Sequence, residues 1–483
     1  MSFIKKFEDQ DKKKKSNKKI EAELPFFITI VTLLATSGFG PYTIFTKIRD
    51  LDLLPNVRIE SIKILKKIDI LGKDPLVVMA ETKEKGISNF GEFLSGWVSS
   101  IQSGGDVVSY LKSKMDSAFE VYESQQKESA NKVQTLVETY MTMQIVILAI
   151  YIIVTATSTG GVGTPPGPDD IDPLYLVIMM PPVITTIFLL LARKLNRAKI
   201  SEMDWKKILA FGIPGIVMAS VINYLNLFPG YNLYILGGAL IVSTIWPAMK
   251  FKNRYKFSLD AEAATSQIMR DVAEARKAGL GPEKCVIRTA KRKDFGLFNP
   301  VANGVANKLE WGMTLNDIFK FIKKETSDFQ ILINFKVLFE IISAGGGNVN
   351  TLITLAGVSE KMRNIETTKR EMLKPYVMVG FMLIAITGFT TLLVIDSLTS
   401  LGGQLETDDA KRLILDADAQ SRFKLLGLSI LIQSWIAGLF LGKITTGNYT
   451  GGFMYSLFLV AISLGAIMII QLKLFSVGSV FGG

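Results

Sequence analysis

Two properties of the composition limit the chemistry that this chain can perform. Its 483 residues include no histidine, which removes the commonest metal ligand and the usual general base. The single cysteine, Cys285, excludes an internal disulfide framework. Carboxylates could still bind a metal, but we identify no catalytic, cofactor-binding or metal-binding residues. The composition therefore predicts a protein that is not an enzyme.

The sequence GLFLGKIT, from Gly438 to Thr445, is the nearest approach to a phosphate-binding loop. Its glycines are one residue too close together for a Walker A loop, and Ile444 stands where Ser or Thr would bind Mg²⁺. GFGPYT and GLGPEK, which begin at Gly38 and Gly279, lack the third glycine and the preceding strand of a dinucleotide-binding fingerprint. We therefore predict that any energy the chain uses comes from a partner.

Clusters of basic residues are the best candidates for a binding function. Nine residues form them: Lys47, Arg49, Lys63, Lys66, Lys67, Arg288, Lys291, Arg292 and Lys293. Such clusters could dock an acidic partner, with charge giving steering and specificity more than affinity. A solvated face or contact with anionic lipid headgroups is the alternative. Nucleic acid is not an expected partner, because the positive-inside bias of membrane proteins accounts for the basic excess.

Uncharged runs of membrane length predict a polytopic helical membrane protein, since isolated strands cannot satisfy their backbones in lipid. Seven such runs lie at about 141–159, 174–191, 208–230, 231–249, 376–395, 425–442 and 453–472. None contains an ionisable residue, whereas ion-coupled carriers place such residues near the midplane. We expect Asn223, Asn226 and Gln433 to form interhelical hydrogen bonds. A solute transporter is the alternative functional class.

Loop charges predict the orientation of these spans. Residues 193–207 contain six basic and two acidic residues, and 250–374 contain 22 against 14. The loop 158–173 has three Asp and no base, and 400–422 is also acidic. These charges place regions 1–140 and 250–374 in the cytoplasm, with the N-terminus inside and the C-terminus outside. We expect the lysine-rich residues 1–23 to be a disordered tail.

An internal repeat marks both polar regions. At offsets of 240 to 242, glycines and prolines recur in three places, and the positions concerned are Gly38, Gly40, Pro41, Gly72, Gly104, Gly105, Gly279, Gly281, Pro282, Gly312, Gly345, Gly346 and Gly347. Glycine permits the positive φ that ends a helix, and proline starts the next one without losing a hydrogen bond. The repeat predicts two homologous bundles of antiparallel helices, at 24–140 and 250–374. Four spans at 141–249 follow the first bundle and three at 375–483 follow the second.

The repeat also bears on the apolar stretch 24–46, which is long enough to span a membrane. Its residues 26–37 correspond to 267–278, which carry five charges and cannot cross a bilayer. We therefore predict that 24–46 begins a cytoplasmic bundle. Its apolar surface would be buried in that bundle or lie on the membrane interface.

This duplicated unit, with GxGP, a second glycine-led turn and GG before a helix entering the membrane, resembles the type II secretion system F domain family. Two units separated by four spans are similar to its archaeal branch, and LPFFITIVTLLATSGFGPYTIF followed by LGKDPL resembles the archaellum platforms in particular. The resemblance implies a dimeric cell-membrane platform on a hexameric secretion-type ATPase. It also implies contacts with filament subunits, other motor components and membrane lipids. The platform would couple ATP-driven motion to filament assembly and, in an archaellum, to rotation. An archaeal type IV adhesion pilus or secretion platform fits the same motifs.

Overall fold

The computed structural model describes residues 2–82, 88–159, 173–195, 217, 221, 231–292, 294–343, 347–405 and 409–471. The described residues form helices and turns without any strand, so the prediction of an all-α polytopic membrane protein is confirmed. The chain divides into two compact units. Unit 1 joins residues 1–127 and 256–367, and unit 2 joins 128–255 and 368–483.

The first repeat begins the chain with six helices. They are α1 (Ser2–Thr36), α2 (Pro41–Arg49), α3 (Pro55–Leu71), α4 (Pro75–Glu81), α5 (Ser88–Gln102) and α6 (Val107–Thr159). Three of them begin at a proline, which supplies the φ of a helix and lacks an amide that would go unpaired there. Helix α1 starts at Ser2 and so includes the lysine-rich segment predicted to be a disordered tail. Lys and Glu are good helix formers, and this segment contains neither Gly nor Pro to stop a helix.

The second repeat has the same order of helices. After α7 (Pro173–Leu195) come α8 (Asn232–Lys277), α9 (Pro282–Arg292), α10 (Asn299–Glu310), α11 (Leu315–Glu325), α12 (Phe329–Ser343) and α13 (Val349–Leu405). A short 3₁₀ turn, Gly296–Phe298, precedes α10. The C-terminal part of α8 corresponds to the C-terminal part of α1. The helices α9 to α13 then correspond, in order, to α2 to α6.

Glycines with positive φ end helices at matching places in the two repeats. The φ values are 91° at Gly38 and 85° at Gly279, then 61° at Gly72 and 73° at Gly312. The third turn differs from the sequence alignment, because its positive φ falls at Gly104 in one copy and at Gly347 in the other, an offset of 243. Gly345 and Gly346 lie outside the described residues.

The apolar stretch that opens the first repeat is buried inside unit 1. Phe27, Val31 and Leu33 of α1 are fully buried. Phe27 contacts Phe90 of α5, with ring centroids 5.1 Å apart. Phe26 contacts Phe329 of α12 edge to face at 4.8 Å, which joins the two repeats in one core. The apolar character of this stretch is therefore explained by its burial in the core of unit 1.

Five helices of the described chain are long and apolar enough to cross a membrane. They include α6, α8 and α13, together with α14 (Asp409–Thr446) and α15 (Tyr449–Gln471). They account for five of the seven predicted spans. The predicted span at 174–191 lies in α7, whose apolar part Val177–Arg193 is shorter. Residues 217 and 221 are the part of the predicted span 208–230 that the structure describes.

Candidate docking surface

The first basic cluster lies at the end of α2, where the two residues have different surroundings. Lys47 Nζ is 3.2 Å from Glu340 Oε2 of α12, and this ion pair is partly buried. Arg49 Nε is 3.3 Å from the carboxylate of its neighbour Asp50, and both side chains are exposed. Lys47 therefore holds the two repeats together, whereas Arg49 remains accessible to a partner.

The second cluster lies along α3 and is largely ion-paired. Lys63 contacts Glu60 at 2.6 Å, one turn earlier, and Lys67 contacts Glu81 of α4 at 2.8 Å. Glu81 also accepts from Lys73 at 2.5 Å. Hydrogen bonds from these two lysines lower the pKa of Glu81 to about 2. Lys66 is exposed on α3.

The third cluster lies on α9, whose opposite face is buried. Lys291 Nζ contacts the Glu310 carboxylate of α10 at 2.6 Å. Arg288 and Arg292 are exposed, and neither forms an ion pair within the described part of the chain. Lys293 lies outside the described residues. Cys285 is fully buried on the inner face, and burial raises the pKa of its thiol, which is typical of a structural cysteine.

The main feature that the sequence analysis missed is a set of carboxylates. Glu81, Glu310 and Glu340 neutralise lysines of all three clusters, although each is 14 or more residues from its partner along the chain. Counting charges along the chain does not reveal such pairs. Once all the ion pairs are assigned, the exposed candidates that form none within the described part of the chain are Lys66, Arg288 and Arg292, whereas Arg49 and Lys63 are exposed but paired with nearby carboxylates.

Unit 2 contains a small polar cluster among its apolar helices. Gln433 of α14 donates to Gln144 Oε1 of α6 at 2.8 Å, so it forms the predicted interhelical hydrogen bond. Asn223 and Asn226 lie outside the described residues. A cavity of about 30 Å³ beside these glutamines has room for one or two water molecules. A cavity of this size is too small for an organic solute.

The glycines of GLFLGKIT bring two helices together. A Cβ built on Gly442 of α14 would lie 2.1 Å from the Gly452 backbone of α15, and one on Gly438 would lie 2.2 Å from Ser456. This is the small-residue packing of membrane helices. Lys443 follows directly after the predicted span 425–442. In the structure it is buried and lies within the apolar part of α14, Phe423–Thr446. It donates to Gly447 O at 2.7 Å, past the end of α14. It therefore holds the turn between α14 and α15.

Comparisons with known proteins give one match. No curated protein and no solved structure matches the chain. Residues 26–155 match the family model described as type II secretion system (T2SS), protein F. The match extends from the buried part of α1 into the apolar part of α6, and so covers the first repeat. The match supports the resemblance of the glycine-marked helical bundle to the type II secretion system F domain family. Residues 26–155 are similar to type II secretion system protein F.

Proposed function

We propose that this chain is the membrane platform of a type IV pilus-like filament machine. It docks a cytoplasmic hexameric secretion-type ATPase and couples the motion of that ATPase to filament assembly. The single observation that carries this proposal is the match of residues 26–155 to T2SS protein F. The second repeat has the same helix order and the same glycine turns, so the proposal extends to it. The chain itself performs no catalysis in this proposal.

Within this function, α6 and α13 are the coupling elements. Each helix carries bundle residues at its start and an apolar stretch further along. No proline lies between these parts in α6, whereas Pro375 lies between them in α13. Leu111 and Phe119 of α6 are buried in unit 1, whereas Tyr140 and Ile147 are buried in unit 2. A helix resists axial strain, so displacement of its first half moves its second half. We propose that this continuity converts ATPase motion into movement of membrane helices.

Arg288 and Arg292 are the docking residues that we propose to test first, because they are exposed and not ion-paired. Changing both to Glu reverses the local charge, and we expect it to weaken ATPase binding without affecting membrane insertion. Lys323 and Lys324, exposed on α11 of the same repeat, provide a control with the same change of charge. Binding is measured by co-purification of the ATPase from the native membrane in mild detergent. Equal recovery with both double variants would remove Arg288 and Arg292 from the docking surface.

Coupling is tested separately from docking with Lys127→Pro. Lys127 is exposed in the middle of α6, so proline breaks the helix without removing a core contact. We expect the ATPase to be retained and filaments to be lost. Lys127→Ala keeps the helix intact and is expected to assemble filaments normally. Normal filaments with Lys127→Pro would show that the continuity of α6 is not used.

An archaellum is the machine that we propose, on the resemblance of residues 24–45 and 71–76 to archaellum platforms. Adhesion-pilus and secretion platforms are the second candidates. In the archaellum case the chain forms a homodimer, contacts archaellins and supports rotation. The N-terminus and both repeats are cytoplasmic in this proposal, and the C-terminus is outside. Mass identification of the co-purifying filament subunits distinguishes these machines.

A further inference from the structure

Two turns of unit 1 expose large apolar side chains at equivalent positions of the repeat. Leu71, which ends α3, is 63% exposed, and Trp311, which follows α10, is 75% exposed. Each directly precedes a glycine with positive φ, Gly72 in one copy and Gly312 in the other. Each also has an exposed apolar neighbour, Ile70 at 75% and Met313 at 38%.

Backbone hydrogen bonds close the α10–α11 turn, and a left-handed glycine, Gly72, ends α3 in the α3–α4 turn. The Gly312 amide donates to Leu309 O and the Met313 amide to Lys308 O, each at 3.0 Å, which closes the end of α10. Asp74 and Thr314 then cap the next helices, α4 and α11, at equivalent positions. The exposed side chains are therefore presented on rigid supports, which lowers the entropy that binding would cost.

Single exposed apolar residues are common on protein surfaces and need no explanation. Here Leu71 and Trp311 occupy the same place in two copies of one fold, directly before the glycine of the turn. Their apolar neighbours differ in position, because Ile70 lies before its glycine and Met313 lies after its glycine. Trp is also the residue type most enriched at interface hot spots. Folding does not require these side chains at the surface, so we attribute them to binding.

The charges around both turns favour a protein over a lipid surface. Beside Leu71, Lys67 and Lys73 are ion-paired with Glu81. Beside Trp311, Glu310 is ion-paired with Lys291. Lipid-binding patches rely on clustered lysines and arginines that face anionic headgroups. An apolar centre with a mixed, ion-paired rim is instead the arrangement of a protein interface.

One exposed cation without an ion pair in the described part of the chain is next in sequence to a paired lysine of each turn, Lys66 to Lys67 and Arg292 to Lys291. Lys66 lies one helical turn before Ile70 on α3, and Arg292 follows the paired Lys291 on α9. Electrostatic complementarity therefore calls for carboxylates around the acceptor. Because the two turns are repeat equivalents, one kind of acceptor fits both.

We propose that the α3–α4 turn and the α10–α11 turn are two equivalent anchors for one homo-oligomeric protein, distinct from this chain. Two of its subunits each offer an apolar pocket with an acidic rim, one to Leu71 and the other to Trp311. Two linked contacts strengthen binding beyond either one alone. This inference rests on the proposed function, in which the partner is a ring of identical ATPase subunits.

The test is photo-crosslinking of the full chain in its native membrane, with benzoylphenylalanine placed at position 71 or position 311. We expect both positions to crosslink the same segment of one polypeptide other than this chain. Val121, 57% exposed on α6 away from the turns, is the control position and should not crosslink that segment. Crosslinks from 71 and 311 to lipid, to this chain or to different polypeptides would overturn the proposal. So would crosslinks no stronger than the control.

A second measurement uses truncation of the same side chains. Trp311→Ala is expected to reduce recovery of the crosslinked protein by about tenfold, the scale of one interface hot spot. Leu71→Ala should reduce it less, and Val121→Ala should leave it unchanged. Unchanged recovery with Trp311→Ala would overturn the proposal. If both positions reach one polypeptide that is not an ATPase, the anchors stand and the proposed ATPase docking fails. If the ATPase co-purifies without these crosslinks, the docking stands and the anchors fail.

Discussion

Lys47 of α2 and Glu340 of α12 form an ion pair of 3.2 Å that joins the two repeats. Glu340 contacts Lys336 through its other oxygen at 2.8 Å, so one carboxylate serves two lysines. Lys336 is also the more buried lysine, with 10% of its side chain exposed against 35% for Lys47. The carboxylate therefore supports both the contact between repeats and the interior of the second one.

The first prediction concerns this shared carboxylate. Glu340→Ala leaves the buried Lys336 without its counter-ion, and we expect a loss of about 3 kcal/mol in unfolding free energy. Lys47→Ala removes a half-exposed partner and should cost about 1 kcal/mol or less. Thermal unfolding in detergent measures both. Adding Lys336→Met to Glu340→Ala should restore part of the stability. A double variant less stable than Glu340→Ala alone would contradict this account.

The second prediction separates two glycines of one turn. Gly279 has a φ of 85°, and its Cβ position is open, so Gly279→Ala should cost about 1 to 2 kcal/mol from backbone strain alone. Gly281 has an equally open Cβ position without a positive φ. We expect Gly281→Ala to change stability by less than about 0.5 kcal/mol. Equal shifts in the unfolding midpoint for the two variants would show that φ is not the constraint.

The third prediction concerns the close approach of α14 and α15. A methyl group at Gly442 meets the backbone of Gly452, which cannot move aside like a side chain. We expect Gly442→Ala to force the helices apart and to cost about 1 to 3 kcal/mol. Gly465→Ala, on α15 with open space at its Cβ position, is the matched control. The difference in thermal midpoint is the measurement, and similar midpoints would refute tight packing at Gly442.

The fourth prediction follows from the low pKa of Glu81. Its two lysines lower this pKa from 4.5 to about 2, so the ion pairs stabilise the fold fully above pH 4.5. The contribution decreases as the pH falls and is lost on passing through about pH 2. The gap in thermal midpoint between wild type and Glu81→Gln should therefore close over this range. In a Lys67→Met/Lys73→Met background that pH dependence should disappear. A gap that stays constant from pH 6 to pH 2 would rule out this assignment.

Much of the fold could be predicted because its signals are local. Length and apolarity identified five helices that could cross a membrane, and Gly38, Gly72, Gly279 and Gly312 marked helix ends through the conformations that only glycine adopts readily. The comparison of 26–37 with its charged counterpart explained an apolar stretch that length alone assigns to a membrane. The two glycines before the run that enters the membrane also indicated where α6 begins, and α6 continues from the bundle into an apolar stretch.

The remainder depends on contacts between residues far apart in the sequence. The basic clusters were recognisable as charge, but the pairing of Lys291 with Glu310 required the crossing of α9 and α10. In the sequence, the glycines of GLFLGKIT were compared with the spacing of a phosphate-binding loop. Their role in the structure is the close packing of α14 on α15, which depends on the residues of the facing helix. The one-residue difference at Gly104 and Gly347 arises from local backbone geometry that the alignment of the two copies does not contain.

The ion pair between Lys47 and Glu340 also bears on how such a chain evolves. Lys47 and Arg288 occupy the same place in the two copies, but Ser99 stands where an exact twofold would require a second Glu340. A gene encoding one bundle could give a closed twofold dimer only through a self-complementary face, with every contact made twice. Fusion into a single reading frame removes that requirement. Each repeat can then change independently of the other. We therefore expect the two copies to differ most at the residues that contact the other repeat, and less elsewhere in their helices.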